Sequence, residues 1–187
     1  MTFRIGMTRA TSFLLLVALS CSAAAEVDLA AWSQVGDLDL QIDGNGAAGG
    51  QHEESVFLVS VEQYADLKIS VEFLIEADTN SGVFIRCSDP AAIAAETCYE
   101  INIWDDHPNQ DHRTGSVVTM AKPLAHVDTV GDWSVMEIEA VGDLIVARVN
   151  GVETARLSND RAASGHVALQ FGAGGTLSFR NLRIEAL

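Results

Sequence analysis

Basic residues are few: 11 Lys and Arg face 26 Asp and Glu over 187 residues, a formal charge of −15. A surface that acidic repels nucleic acid and anionic lipid, which excludes both as main partners. Long apolar stretches are scarce too. The one at residues 13–19 is far too short to span a bilayer, and no membrane span is expected elsewhere. Proline (3 residues) and cysteine (3 residues) are rare, and helical periodicity is nearly absent beyond residue 25. No glycine loop with a phosphate-binding lysine, no nucleophile elbow and no His-Glu-x-x-His occurs. No nucleotide cofactor and no metal centre are therefore expected.

The first 25 residues read as a leader. Arg4 and Arg9 give a basic start, residues 13–19 an apolar run, and Ala23-Ala24-Ala25 a small-residue cleavage site, the layout of a secretory signal peptide. Cleavage after Ala25 leaves a domain at 26–187 with 9 basic and 26 acidic residues, a formal charge of −17. A periplasmic or secreted location follows. Leu19-Ser20-Cys21 loosely resembles a lipobox, so a lipid anchor at Cys21 is the alternative; the alanine-rich site explains the same stretch without a lipid. The two remaining cysteines, Cys87 and Cys98, form an even pair in an oxidising compartment, most simply a disulfide. It would close a short loop holding Asp89-Pro90 and an alanine-rich stretch with room for one helical turn, stabilising by about 2–3 kcal/mol.

What is present is period two. In residues 67–76 every odd position is apolar (Leu67, Ile69, Val71, Phe73, Ile75), while the even positions are polar apart from Leu74. This is a strand with one face in a core. Further strands are expected at 56–61, 83–87, 99–104, 115–120, 135–141, 144–150, 152–157, 166–171 and 176–184. Gly142-Asp143 and Asn150-Gly151 mark tight hairpins, the second with the residues of a type I′ turn. The apolar phase flips at Arg180-Asn181, which predicts a β-bulge. Residues 44–50 (GNGAAGG) read as a flexible loop. The pattern predicts an all-β sandwich of two antiparallel sheets.

A sandwich buries one face of each sheet, so chemistry belongs on an outer face or on edge loops. In residues 99–104 the odd positions face the core and Glu100, Asn102 and Trp104 line the other face, spaced about 6–7 Å apart. An acid, an amide and an indole in a row suit a sugar: the indole covers a pyranose face while the polar groups take hydroxyls. Arg86 and Glu72 fall on even positions of their own strands, so Glu72, Arg86, Glu100 and Asn102 would converge if those strands were neighbours. The plainer alternative is a set of outward polar residues with a surface ion pair. Asp105-Asp106-His107 and Asp111-His112 form an acidic loop that would rim a pocket, bind calcium or simply be solvated. His126 is a loop residue, Trp133 a core or edge anchor, and His166 a structural residue at a strand start.

These segments resemble the 3-keto-disaccharide hydrolase domain family. Asn80-Ser81-Gly82-Val83-Phe84-Ile85-Arg86 and Tyr99-Glu100-Ile101-Asn102-Ile103-Trp104-Asp105 are similar to its NSG-[IV]-[FY]-x-R and YE-x-Q-[IV]-x-D pair. Glu72-Phe73, Lys122-Pro123, Gly131-Asp132-Trp133 and Val149-Asn150-Gly151 follow in the family's order, then Gly165-His166-Val167-Ala168-Leu169-Gln170 and Phe179-Arg180-Asn181-Leu182-Arg183-Ile184. The resemblance implies a concanavalin A-like jelly roll, related to family 16 glycoside hydrolases. It also implies cleavage of glycosides already oxidised to a ketone at C3. The ketone acidifies the C2 proton, so a base can remove it, the C1 substituent is eliminated and water then adds. Glu100 and Glu72 are the implied base and acid, and Arg86 the group that steadies the enolate. Asn102, Trp104, Asp105, His112 and His126 would hold the sugar. Asn102 stands where the family has glutamine, one methylene shorter. The family 16 double displacement needs E-x-D-x-E, and Trp104 replaces its second glutamate. The alternative is a lectin-like carbohydrate-binding module of the same fold.

Overall fold

The segment with the cleanest alternation shows how the pleat sorts this chain. In the computed structural model, which describes residues 24–37, 39–49, 54–172 and 174–187, Leu67, Ile69, Val71, Phe73 and Ile75 are all buried. The residues between them face outward, where Lys68 is exposed. Thirteen strands form among the described residues. They are β1 (Ala25–Glu26), β2 (Ser33–Val35), β3 (Gln41–Asp43), β4 (Gly46–Gly49), β5 (Val56–Tyr64), β6 (Leu67–Ile75) and β7 (Ser81–Cys87), then β8 (Tyr99–Ile103), β9 (Ser134–Val141), β10 (Leu144–Val149), β11 (Val152–Ser158), β12 (Gly165–Phe171) and β13 (Leu177–Ala186).

Pairing makes two antiparallel sheets. One runs β11-β10-β9-β6-β13-β4-β3 with β1 added against β13, and the other runs β2-β5-β12-β7-β8. Their facing sides enclose one core, to which the first sheet gives Phe73, Met136, Ile145 and Phe179 and the second gives Leu58, Val83, Ile101 and Leu169. This is the concanavalin A-like jelly-roll sandwich that the alternation and the resemblance predicted. Among the described residues no helix is long and apolar enough to cross a membrane.

Local expectations fare unevenly. Val141 pairs with Leu144 and Val149 with Val152, so both two-residue hairpins form. Asn150 and Gly151 have φ of 50° and 77°, the left-handed pair that a type I′ turn demands. The bulge in β13 sits at Asn181 (φ 53°), where the register against β6 slips between Arg180 and Arg183 and turns Leu182 and Ile184 into the core.

Three expectations need correction. Residues 115–120 form no strand. Gly115, Ser116 and Val118 exchange backbone bonds with Asn102 and Glu100, then the chain doubles back as Val117 and Ala121 bond each other, with Thr119 left-handed at φ 64°. The glycine-rich stretch is not a loop throughout: Gly46–Gly49 is β4, paired with β13 and β3, after a turn at Gly44-Asn45. Strands this short and rich in glycine and alanine carry no period-two signal, since their pairing is with distant chain. Gly50 lies outside the described residues. The alanine-rich stretch before Cys98 holds no helix, only turns, one of them closed by Cys98 N–H on the Ala94 carbonyl at 2.9 Å. Most of the expected leader, with Cys21, lies outside the described residues.

Candidate functional site

The outer face of the five-stranded sheet is built by register. Gly82 of β7 pairs with Asn102 of β8 on one side and Gln170 of β12 on the other; in the next row Phe84 pairs with Glu100 and Ala168. β5 extends both rows, with Phe57 opposite Gln170 and Val59 opposite Ala168. Because Val83, Ile101, Leu169 and Phe171 enter the core, these alternate residues point the other way.

That outer face is not simply polar. Val59, Phe84, Ala168, Cys87 and Cys98 form a second buried apolar cluster, joined by Val35, Phe57 and Ile93. The rings of Phe57 and Phe84 meet edge to face at 5.5 Å. The Cys87–Cys98 disulfide forms as expected, with Cα atoms 4.4 Å apart. It closes the loop whose Ile93 covers the cluster and whose Glu96 stands exposed near β8.

Glu100 stands over this apolar ground. Among the described residues no hydrogen bond or ion pair holds its carboxyl. Burial pushes the carboxyl up to about 7, and the negative charge of Glu96 adds a smaller push in the same direction. A carboxyl unpaired, partly buried and poised near neutral pH has the properties of a general base.

The other expected site residues do not gather round it. Glu72 lies on β6, in the opposite sheet, on an outward position. It accepts from Arg180 Nε and Asn181 Nδ2, both at 2.8 Å, and these bonds hold its carboxyl below the usual carboxylate range. Arg180 in turn lies 3.7 Å over the Trp133 ring, so Trp133 is a partner of this cluster. The two glutamates therefore sit on opposite outer faces of the sandwich and cannot share one substrate.

Arg86 turns inward, against its expected place on the outer face. A bulge in β7 puts it at φ 54°, between the Phe84–Ala168 and Cys87–His166 pairs, and the alternation slips by one residue. Its guanidinium is buried and donates to the carbonyls of Ala65 (3.1 and 3.0 Å), Gly142 (2.8 Å) and Ala162 (3.2 Å), with Asp66 at 3.4 Å. It clamps three turns at one end of the sandwich and has no donor left for an enolate at Glu100.

Asn102 and Asp105 are also committed internally. The Asn102 amide donates to the His112 carbonyl and accepts from Ile103 N–H at 3.0 Å. Asp105 is buried and accepts from the Thr129 backbone N–H at 2.5 Å and hydroxyl at 3.0 Å, with Arg113 at 3.9 Å. Both pin the loop after β8 rather than offering hydroxyl partners. Trp104 packs edge-on against His107 at 4.5 Å, and His107 lies 5.4 Å from His112. The Trp104 indole N–H is buried, with no acceptor among the described residues. His126 is exposed on its loop. His166 is structural as expected: its Nδ1–H donates to the Ser60 carbonyl at 2.8 Å, leaving Nε2 to accept from Gln63 at 3.1 Å. Among the described residues no group of three or more His, Cys, Asp or Glu side chains is placed to hold a metal ion.

Sequence reasoning missed Gly82, Glu96 and Gln170 as neighbours of Glu100. Gln170 stands in a quoted motif on the outward phase of its strand, but only the β7–β12 register places it beside Gly82.

Comparison with known proteins agrees with this fold. A protein from Parabacteroides distasonis, provisionally described as a glycosyl hydrolase, superimposes with a TM-score of 0.72 at 18% identity, covering 87% of this chain and 91% of that one. A second from the same organism, with the same provisional description, gives 0.67 at 22% identity, covering 79% and 90%. The carbohydrate-binding module CBM66 of Bacillus subtilis gives 0.66 at 18% identity, covering 83% and 96%. At these identities the likeness is one of fold. No curated protein matches the chain by sequence at a significant level. The model of one family, however, matches residues 25–185, nearly the whole of the described chain, and on that match the protein belongs to the 3-keto-α-glucoside-1,2-lyase-like domain family.

Proposed function

We propose that this chain is an exported enzyme that cleaves glycosides oxidised at C3, with Glu100 as the base. The observation that carries the reading is the unpaired carboxyl of Glu100, raised to about 7 on a largely apolar sheet face. A ketone at C3 makes the C2 hydrogen acidic enough for such a carboxylate. Glu100 takes that proton, and the C2–H electron pair becomes the C1–C2 double bond. The C1–O bond breaks, its electrons leave with the aglycone oxygen, and that oxygen is protonated from solvent. Water adding to the enone afterwards makes the net change a hydrolysis. Family membership supports this substrate class. The indole of Trp104, four residues after Glu100 and just past the end of β8, borders the sugar. Glu72 and Arg86 take no part, because one lies on the opposite face and the other inside the fold.

The leader composition and the Cys87–Cys98 disulfide support export, since such bonds persist in oxidising compartments. A non-catalytic sugar-binding module is the second reading. It is favoured by the half-buried Phe57 on that face, whose ring suits a pyranose whether or not a bond is cut, and by the fold shared with a carbohydrate-binding module.

The test is aglycone release from a 3-keto glucoside by the purified chain, beside Glu100→Gln and with chelator present or absent. Release by the wild type that collapses in the variant supports the enzyme. No release, with sugar-dependent quenching of tryptophan fluorescence, favours the binding module. Neither signal sinks both readings.

A further inference from the structure

One buried polar group near Glu100 has no internal explanation. Gln170 is 6% exposed, and among the described residues its amide oxygen has no hydrogen-bond partner. Its amide nitrogen donates to the Ser55 hydroxyl at 2.9 Å, which leaves the oxygen as the free end of the group. Leu169 and Phe171 on either side are core residues, so the Gln170 side chain lies on the outer face. A buried acceptor with no partner destabilises the free protein, and folded chains keep few of them.

Its neighbours say what could satisfy it. Gln170 pairs directly with Gly82, and the Glu100 side chain lies over Gly82, 3.3 Å from where a Cβ would be. The amide and the carboxyl therefore flank a single glycine, with adjacent strands about 5 Å apart. Phe57, the other strand partner of Gln170, closes the far side with an apolar ring. A pyranose laid across Gly82 would bring a hydroxyl to Gln170 while its C2 hydrogen faces Glu100.

We infer that Gln170 is a specificity residue of the Glu100 site, its buried amide oxygen accepting a hydroxyl hydrogen of the sugar ring. The inference rests on the reading of the Glu100 face as a sugar site and adds the polarity of one contact. An acceptor takes a hydroxyl and repels a carbonyl, so the C3 ketone points away from Gln170 and one of the remaining ring hydroxyls points toward it. A site built around such a bond rejects the analogue that lacks the hydroxyl, because the acceptor is then buried unpaired against the ligand.

The test compares wild type with Gln170→Leu on a nitrophenyl 3-keto glucoside and its 2-deoxy, 4-deoxy and 6-deoxy analogues. The expected result is a loss on the order of 10–100-fold in wild-type kcat/KM for one deoxy analogue, and no loss for that analogue in Gln170→Leu. Equal discrimination by both proteins against every analogue overturns the inference. If the wild type releases no nitrophenol, the catalytic reading fails by itself. Calorimetric affinities of the same panel then decide about Gln170: discrimination lost in the variant upholds it, and unchanged discrimination or no binding overturns it. A urea midpoint confirms that the variant is folded, and Gln170→Met, which keeps the side-chain length, replaces it if it is not.

Discussion

Glu100 lies over Gly82, with its Cγ and Oε1 each 3.3 Å from the position that a Cβ on Gly82 would occupy. No side chain larger than hydrogen fits beneath the carboxyl without displacing it. Gly82 needs no left-handed backbone, so the demand for glycine here is one of space alone. Gly82→Ala should therefore leave the sheet paired, with a stability change within about 1 kcal/mol, while moving the carboxyl by a few tenths of an ångström. Misplacement of a base lowers turnover more than it weakens binding, so the expected outcome is a kcat loss of roughly tenfold or more with KM little changed. Steady-state kinetics beside a urea melt would check both halves.

The raised carboxyl makes two pH predictions. As a base, Glu100 must be ionised, so kcat/KM should rise with pH through about 7. Glu96→Gln removes the smaller of the two upward pushes and should move that limb to lower pH. For stability the sign is opposite to that of a salt-bridged acid. Between about pH 4.5 and 7 the folded chain holds a proton that the unfolded chain has already released. The contribution of Glu100 to stability is thus full below 4.5 and lost as pH rises to about 7, roughly 2–3 kcal/mol in all. Glu100→Gln should accordingly be more stable than wild type at pH 8 by about that amount and equal to it at pH 4. Equal melts at both values would show that Glu100 is not held in its neutral form.

The disulfide ties the two charges together. Cys87 and Cys98 close the loop that carries Glu96, and Cys98 stands two residues before Glu100. Replacing both with alanine should destabilise the chain by about 2–3 kcal/mol, because a loop of that length regains its freedom when unfolded. With the loop untied, Glu96 is no longer held near the site, so the acid limb of the activity profile should also shift down. Unfolding curves and a pH profile of the double variant, compared with Glu96→Gln, would separate the two effects.

The sheets were legible because alternation is local: β5 to β13 follow from residues two apart, and even the Asn181 bulge shows as a phase flip. β1 to β4 were not, since short strands such as Gly-Ala-Ala-Gly carry no face of their own and exist by pairing with β13. At the site, the outward phase of Glu100 was readable within one strand. Its company was not, because that depends on which strands adjoin. β6 went to the other sheet and took Glu72 with it, while β12 came alongside β7 and brought Gln170. Arg86 was misread for a different reason. A single left-handed residue in β7 reversed its direction, and an arginine at φ 54° leaves no mark in the apolar pattern.

That reversal is itself open to test. The buried Arg86 guanidinium joins the turn at Ala65, the hairpin at Gly142 and the loop at Ala162 through their carbonyls. Arg86→Ala should destabilise the chain by about 3–5 kcal/mol, since it empties a fully buried site and removes the charged hydrogen bonds that join the three segments. Arg86→Lys keeps the charge but presents one ammonium in place of a planar fork, so it recovers only part of the loss. If Arg86 is a clamp, the folded fraction of Arg86→Lys keeps wild-type kcat, because nothing at Glu100 has moved. If Arg86 steadied an enolate, kcat would fall steeply in a variant that is still folded. Urea midpoints together with kcat per folded molecule, measured well below the midpoint, separate these outcomes in one preparation.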